Sequence, residues 1–405
     1  MPRFEPFPGL RYSPSHIAAL EDVVCPPYDV ISEDDRQALL ERSPYNVVRL
    51  ELPVAAPGDP DAPAADPYAE AAQLLDAWRD GGVLHRDPQP AFYGYRMRFT
   101  DDTGTDRSTI GVIGALGLEP PGAGILPHEE TTPKAKSDRL QLLRATRANL
   151  SPIWALTPAT GLAALCGAPA HPAEHTGDGL HSTESEGVVH EVWPIYDPER
   201  VAAITAHVAG QPVLVADGHH RYETALAFQS EDRSPGAGAV MALVVELDEA
   251  QLSVQAIHRV IAGVDAGEVL AALGRAFKLV PTGAADAGIL TRMTEAGALA
   301  VVTSSGAWLA VPTDETTAAA AHDLDSSRLD VALAALTGAE VSFQHGWDLA
   351  VAAVDAGAGT AAVLLRPATV QQIAAISRGG TRMPPKTTFF WPKPRTGMVI
   401  RELIG

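Results

Sequence analysis

The stretch Pro212–Phe228, PVLVADGHHRYETALAF, constrains the fold of this chain more than any other. Val213 to Ala216 is a short apolar run that predicts a buried strand. It stops at the turn dipeptide Asp217-Gly218 and continues into Tyr222–Phe228, which has helical character. A strand, a tight turn and a helix aim the first backbone N–H groups of the helix at whatever occupies the turn, and those groups suit an anion. The turn carries Asp217, His219, His220, Arg221 and Glu223, five groups able to move protons, hold metal or grip phosphate. Four uses follow: a phosphate cradle, a metal site built on at most one histidine with Asp217 or Glu223, a general base, or a polar structural turn. The spacing is not that of a Walker loop.

At 405 residues the chain has room for two or three domains. The net charge of −20 argues against general nucleic-acid binding. No apolar run is long enough to span a membrane, and MPRFEPFPGLRY has no signal-peptide core, so a cytoplasmic protein is expected. The two cysteines, Cys25 and Cys166, build neither a disulfide scaffold nor a cysteine zinc cluster.

Read in order, Cys25-Pro26-Pro27-Tyr28-Asp29 is a stiff corner that places a phenol and a carboxylate, or simple proline punctuation. Ser32, followed by acids at Glu33, Asp34 and Asp35, starts a helix. Asn46–Leu52 reads as a strand, 54–67 as a surface loop and Tyr68–Trp78 as a helix. Ala91–Thr100 and Ser108–Leu118 read as paired strands. His128, Glu129 and Glu130 then precede a helix begun by Thr132-Pro133. On that helix Lys136, Arg139, Leu143 and Arg147 share a face, either toward a bound anion or toward solvent. Residues 166–187 read as a long loop, Val188–Ile195 as a strand and Asp197–Val208 as a helix. From about Asp265 an Ala- and Gly-rich helix–strand–strand pattern carries no clustered chemistry. After Ser377 come six cations, Arg378, Arg382, Lys386, Lys393, Arg395 and Arg401, against one acid, Glu402. That sign reversal suits an anion-binding wall or a surface docked on an acidic domain.

PPYDVI, HEETTPKAKSDRL with RANLSPI, ADGHHRYETA and MPPKTTFFWPKPRTGMVI together resemble the signature blocks of the bacterial and archaeal family called domain of unknown function 1015. The strand, DGHHR and helix are also similar to the phosphate-binding motif of the ParB/sulfiredoxin-like superfamily, which includes free serine kinases. That likeness implies that Gly218, His219, His220 and Arg221 hold nucleotide phosphates, with Asp217 as the acid of the kinase motif.

The expected fold is α/β, or α+β, with a mixed sheet flanked by helices, a ParB/sulfiredoxin-like element at the turn and a smaller α+β lobe. The expected parts are 1–264, 265–335 and 336–405. The expected function is a small-molecule kinase acting on a serine-like hydroxyl, with ATP or another phosphoryl donor and Mg²⁺. Asp217, His220 and Glu129 would be catalytic. Gly218, His219, Arg221, Lys136, Arg139 and Lys393 would bind the donor, and Glu130 and Glu223 the metal. Two alternatives stand beside it: a metal-dependent hydrolase using Asp217, His219, Glu223 and His128, and a non-catalytic nucleotide-sensing module. The expected partner is a small-molecule substrate, with neither nucleic acid nor membrane; the sequence sets no oligomeric state.

Overall fold

The computed structural model describes residues 2–54, 66–101, 104–120, 122, 124–127, 133–167, 181–185 and 187–403, without the side chains of 127, 133–136, 181, 182, 184, 185 and 378. The chain divides into two compact units. One is Met1–Leu252 with Pro392–Gly405, and the other is Ser253–Trp391. The expected boundaries at 264 and 335 are therefore not where the chain divides, and only the end of the expected 336–405 part lies in the first unit.

The first unit is built on a mixed sheet. Among the described residues its path runs Ile125–Pro127, Val213–Asp217, Ile153–Thr157, Ala239–Glu246, Asp106–Gly117, Phe92–Thr100, Val188–Ile195 and His181–Ser185. Val213–Asp217 lies parallel to Ile125–Pro127, and Ala239–Glu246 lies parallel to Ile153–Thr157; the other pairs on the path are antiparallel. Ala239–Glu246 is buried along its whole length, as a central strand covered on both faces must be. Its Val240, Ala242 and Val244 join Ile153, Val213, Val215, Tyr222 and Ala225 in one core, which fixes the turn stretch to the sheet.

Local signals in the sequence set several helices. Ser32 and Asp35 form a reciprocal capping box at the start of Glu33–Arg42. Asp66 and Asp197 cap Pro67–Asp80 and Pro198–Ala209, each of which begins with proline. Asn46–Leu52, expected as a strand, is instead the short helix Val48–Glu51. Asn46 is fully buried, accepts from Val48 N–H at 3.0 Å and donates to Asp22 O at 2.8 Å. An asparagine used as a helix-start acceptor overrides the β-branched pattern after it. The expected loop 166–187 ends in a strand, His181–Ser185, paired with Val188–Ile195.

The second unit is an α+β arrangement on an antiparallel sheet. Its order is Phe277–Gly283, Gly306–Pro312, Leu299–Thr303, Ala361–Leu364, Ser253–Ala262 and Glu340–His345, and Thr388–Trp391 also pairs with Ser253–Ala262. Leu299–Thr303 is buried throughout and carries the core on both faces, with Leu299 and Val301 in one cluster and Ala300 and Val302 in another. Among the described residues no helix is long and apolar enough to cross a membrane.

Candidate functional site

The turn forms as its sequence requires. Val213, Leu214, Val215 and Ala216 are buried, and the strand pairing shifts register between Val215 and Asp217. Such an irregularity bends a strand and re-aims the residue after it, here Asp217. Gly218 takes φ +87° and serves as N-cap of the 13-residue helix His219–Glu231. With glycine there, no side chain caps the helix. A Cβ at Gly218 would lie 3.0 Å from Arg221 Nε and Nη2 and from Ile153 Cγ2, so a larger residue here is strained by its backbone angle and crowded by its neighbours.

Arg221, one turn along, is anchored by three groups. Its Nη1 donates to Ser151 Oγ at 2.9 Å and to Pro152 O at 2.7 Å, and its Nη2 donates to Asp217 Oδ2 at 3.0 Å. Its Nε is buried and has no hydrogen-bond partner among the described residues. Beside it lies a cavity of about 50 Å³ lined in part by Glu51, Arg139, Ser151 and Thr224, large enough to admit water.

The other carboxylate oxygen of Asp217 accepts from Lys393 Nζ at 2.9 Å, and the same ammonium donates to Asp29 Oδ2 at 2.7 Å. The Lys393 side chain is only 9% exposed. Burial alone lowers an ammonium's pKa, but Asp217 and Asp29 outweigh it and leave Lys393 raised. Lys393 reaches this place because its segment is threaded through the first unit. Thr396 bridges to Cys25, Gly397 N–H donates to Leu150 O, and Arg401 pairs in register with Asn149.

A second cluster shares a cavity lining with Arg221. Arg139, 6% exposed, donates to Glu51 O at 2.8 Å and to Asp138 Oδ2 at 2.5 Å, and its guanidinium lies 4.5 Å above the Tyr28 ring. Burial pushes the Glu51 carboxyl up, against the pull of Arg139 and Arg221. Burial likewise raises the Tyr28 phenol, with Arg221 opposing. Asp138 is lowered: burial opposes this, and Arg139 with the Tyr68 hydroxyl outweighs it.

Of the expected site residues, Asp217, Gly218, His219, His220, Arg221 and Glu223 lie on the turn and the first helical turn after it, and Lys393 joins them through Asp217. His219 is buried, while His220 and Glu223 are half-buried. His128, Glu129 and Glu130 lie outside the described residues, as does the side chain of Lys136.

The basic face and the cationic tail both need correction. Arg147 lies beyond its helix, at φ +47°, and pairs with Asp232 and Ser234. Arg139 is buried against Glu51 rather than presented on an open face. Arg401 is buried on Asn149, Ala239 O and Gly236 O, and Glu402 pairs with Arg79 and Arg86. Arg378, Arg382 and Lys386 belong to the second unit. The tail is thus no continuous wall, and its cations divide among separate tasks.

Ser151 and Glu51 were not singled out from the sequence. Asp29 reads in the sequence only as part of a rigid corner. Their one sequence signal is position: Ser151-Pro152 precedes a fully buried strand, and Asp29 follows two prolines.

Among the described residues, no group of three or more His, Cys, Asp or Glu side chains is placed to hold a metal ion. The arrangement therefore offers uncapped backbone N–H groups, one buried guanidinium with a spare N–H, and a lysine clamped by two carboxylates.

No curated protein matches the sequence. Among solved structures, a conserved hypothetical protein from Pyrococcus furiosus is similar at 12% identity and TM-score 0.38, over 69% of this chain and 92% of that one. A free serine kinase in complex with AMP is similar at 14% identity and TM-score 0.36, over 66% and 83%. SbnI with a C-terminal truncation, from Staphylococcus aureus, is similar at 13% identity and TM-score 0.39, over 70% and 85%. The family model described as "Protein of unknown function (DUF1015)" matches residues 4–332, and the chain belongs to that family.

Proposed function

We propose that this chain is a phosphate- or nucleotide-binding enzyme, a small-molecule kinase that phosphorylates a hydroxyl on a serine-like acceptor. One observation carries the reading: the uncapped start of the His219–Glu231 helix, at a glycine with φ +87°, stands directly beside the anchored guanidinium of Arg221. Helix N–H groups and a fixed arginine fork are the donors that phosphate oxygens take. The resemblance of DGHHR to the free serine kinase motif points the same way.

In this mechanism the turn N–H groups and the Arg221 guanidinium hold the donor's phosphate. Asp217 sits between Arg221 and Lys393 and keeps both cations at the turn. The acceptor hydroxyl oxygen attacks the terminal phosphorus while the bond to the bridging oxygen breaks. The hydroxyl proton passes to His220, and the charge growing on the leaving phosphate falls to Arg221 and Lys393. Glu129 remains the candidate for orienting the acceptor, and Lys136 for adding positive charge. Mg²⁺, when bound with the donor, would supply further neutralisation. Glu223 alone of the two residues expected to hold it lies among those described, so no step is routed through the ion.

Calorimetry with ATP, ADP and AMP tests the reading. Arg221→Ala is expected to abolish nucleotide binding in a chain that keeps its unfolding transition. Unchanged affinity for every nucleotide tried would overturn the proposal. Binding without transfer to any hydroxyl acceptor would leave a nucleotide-sensing module. Stoichiometric tightly bound Zn²⁺, Mn²⁺ or Fe in the purified protein would favour the hydrolase.

A further inference from the structure

Within the second unit, a cavity of about 530 Å³ opens at the starts of two helices. Leu324, Asp325 and Ser326 line it at the start of Asp325–Leu333, and Thr369 and Gln372 line it at the start of Val370–Arg378. Thr369 and Gln372 cap their own helix reciprocally. No side chain caps Asp325–Leu333, so its first N–H groups remain for another acceptor.

Two arginines stand at the same wall. Asp325, 7% exposed, accepts from Arg366 N–H at 3.0 Å, from its Nε at 2.9 Å and from its Nη2 at 2.6 Å, and Arg328 Nη1 lies 3.4 Å from it. One buried carboxylate thus fixes two guanidiniums. The other arm of Arg328 goes to Asp323, whose side chain is 76% exposed. Arg328 itself is 8% exposed, and its Nε finds no hydrogen-bond partner among the described residues. A buried guanidinium N–H without an acceptor is costly unless something fills the place.

The cavity has the size of a small-metabolite site. None of its lining side chains is aromatic; its apolar wall is aliphatic, with Pro312, Leu365 and Pro367. A nucleobase would find no ring to stack on there, whereas a short aliphatic body fits. An arriving oxyanion can take the free helix N–H groups and, by displacing only Asp323, the exposed partner, the Nη2 arm of Arg328.

We propose that this cavity is a second binding site, separate from the turn, for a small aliphatic oxyanion: a phosphate ester or a carboxylate. It does not depend on the kinase reading. The test uses the full chain carrying Arg221→Ala, so that the turn lacks its arginine, titrated by calorimetry with glycerol 3-phosphate and, separately, with succinate. One of the two is expected to bind one equivalent, and which one binds identifies the headgroup. Thr294→Trp, at an exposed wall position whose hydroxyl donates only to Leu290 O, puts bulk into the cavity and keeps both arginines in the chain. It should weaken binding by at least about tenfold, as should Arg366→Met. No binding of either ligand in the millimolar range overturns the proposal, and so does binding that Thr294→Trp leaves unchanged.

Discussion

Lys393→Met removes the one ammonium that touches both Asp29 and Asp217, and its cost can be worked from their exposure. Breaking a fully buried pair by deleting one partner costs about 3–5 kcal/mol, because the charge left behind is uncompensated. A fully exposed pair is worth about 0.2–1 kcal/mol. Here the lysine side chain is 9% exposed, Asp217 23% and Asp29 35%, so water reaches the carboxylates more than the lysine. The expected loss lies between those limits, at about 2–3 kcal/mol. For a unit of this size that lowers the melting temperature by about 5–10 °C. Urea denaturation of the full chain at neutral pH measures it. Adding Asp29→Asn to Lys393→Met should recover about 1 kcal/mol, since it removes one of the two stranded charges. The pH dependence has a definite sign. Lys393 is raised in the folded chain, so its contribution is fully present below the ordinary lysine value of about 10.4 and is lost as pH rises through the raised value. A Lys393→Met chain within about 0.5 kcal/mol of the parent, with no recovery from Asp29→Asn, would refute the claim that the ammonium holds the two acids together.

Gly218→Ala forces a side chain into a left-handed backbone and against Arg221; it should cost about 1–2 kcal/mol in urea and weaken nucleotide binding as the guanidinium shifts. Ser32→Ala removes the capping box of Glu33–Arg42 and should cost about 1 kcal/mol, read as a shift in the denaturation midpoint without a change in slope. His258 is held neutral, lowered to about 4 chiefly by burial and further by Arg259 and His345, while its Nδ1 accepts from Leu365 N–H. The unfolded chain binds that proton near the ordinary value of about 6.5. The second unit should therefore lose about 3 kcal/mol between pH 6.5 and 4, and His258→Gln should flatten that slope in denaturation runs at pH 7 and pH 4.5.

What the sequence made legible was whatever a short window decides. The strand, Asp-Gly turn and helix at 213–231 follow from an apolar run, a turn dipeptide and helical spacing. The starts at Ser32 and Asp197 follow from side chains that reach only three residues. Asn46–Leu52 departs from the strand pattern because Asn46, held by Asp22 O from outside the window, turns its side-chain oxygen to Val48 N–H and starts a helix. The mixed sheet was an expectation from alternating elements. Its strand order depends on pairings such as Val213–Asp217 with Ile125–Pro127, which no local pattern contains.

Charge was the least legible quantity. A run of cations after Ser377 and three on one helix face suggests positive potential, because a sequence shows how many charges there are and not what they hold. Arg139 is held by Glu51 and Asp138, Arg147 by Asp232, and Lys393 by Asp29 and Asp217. Each cation near the turn arrives already neutralised, so counting them overstates the pull on a phosphate. The N–H groups at the start of the His219–Glu231 helix differ in kind. No side chain caps that start, and glycine at 218 supplies no side chain that could do so. On the proposed reading, an anion's hold on this site would rest first on that backbone, which no side chain caps. The arginine and lysine then decide how firmly it is held and where its charge can move. That order also ranks the perturbations: Gly218→Ala, which removes no charge and acts on the turn and the guanidinium packed beside it, is the sharper probe of whether the turn itself makes the site.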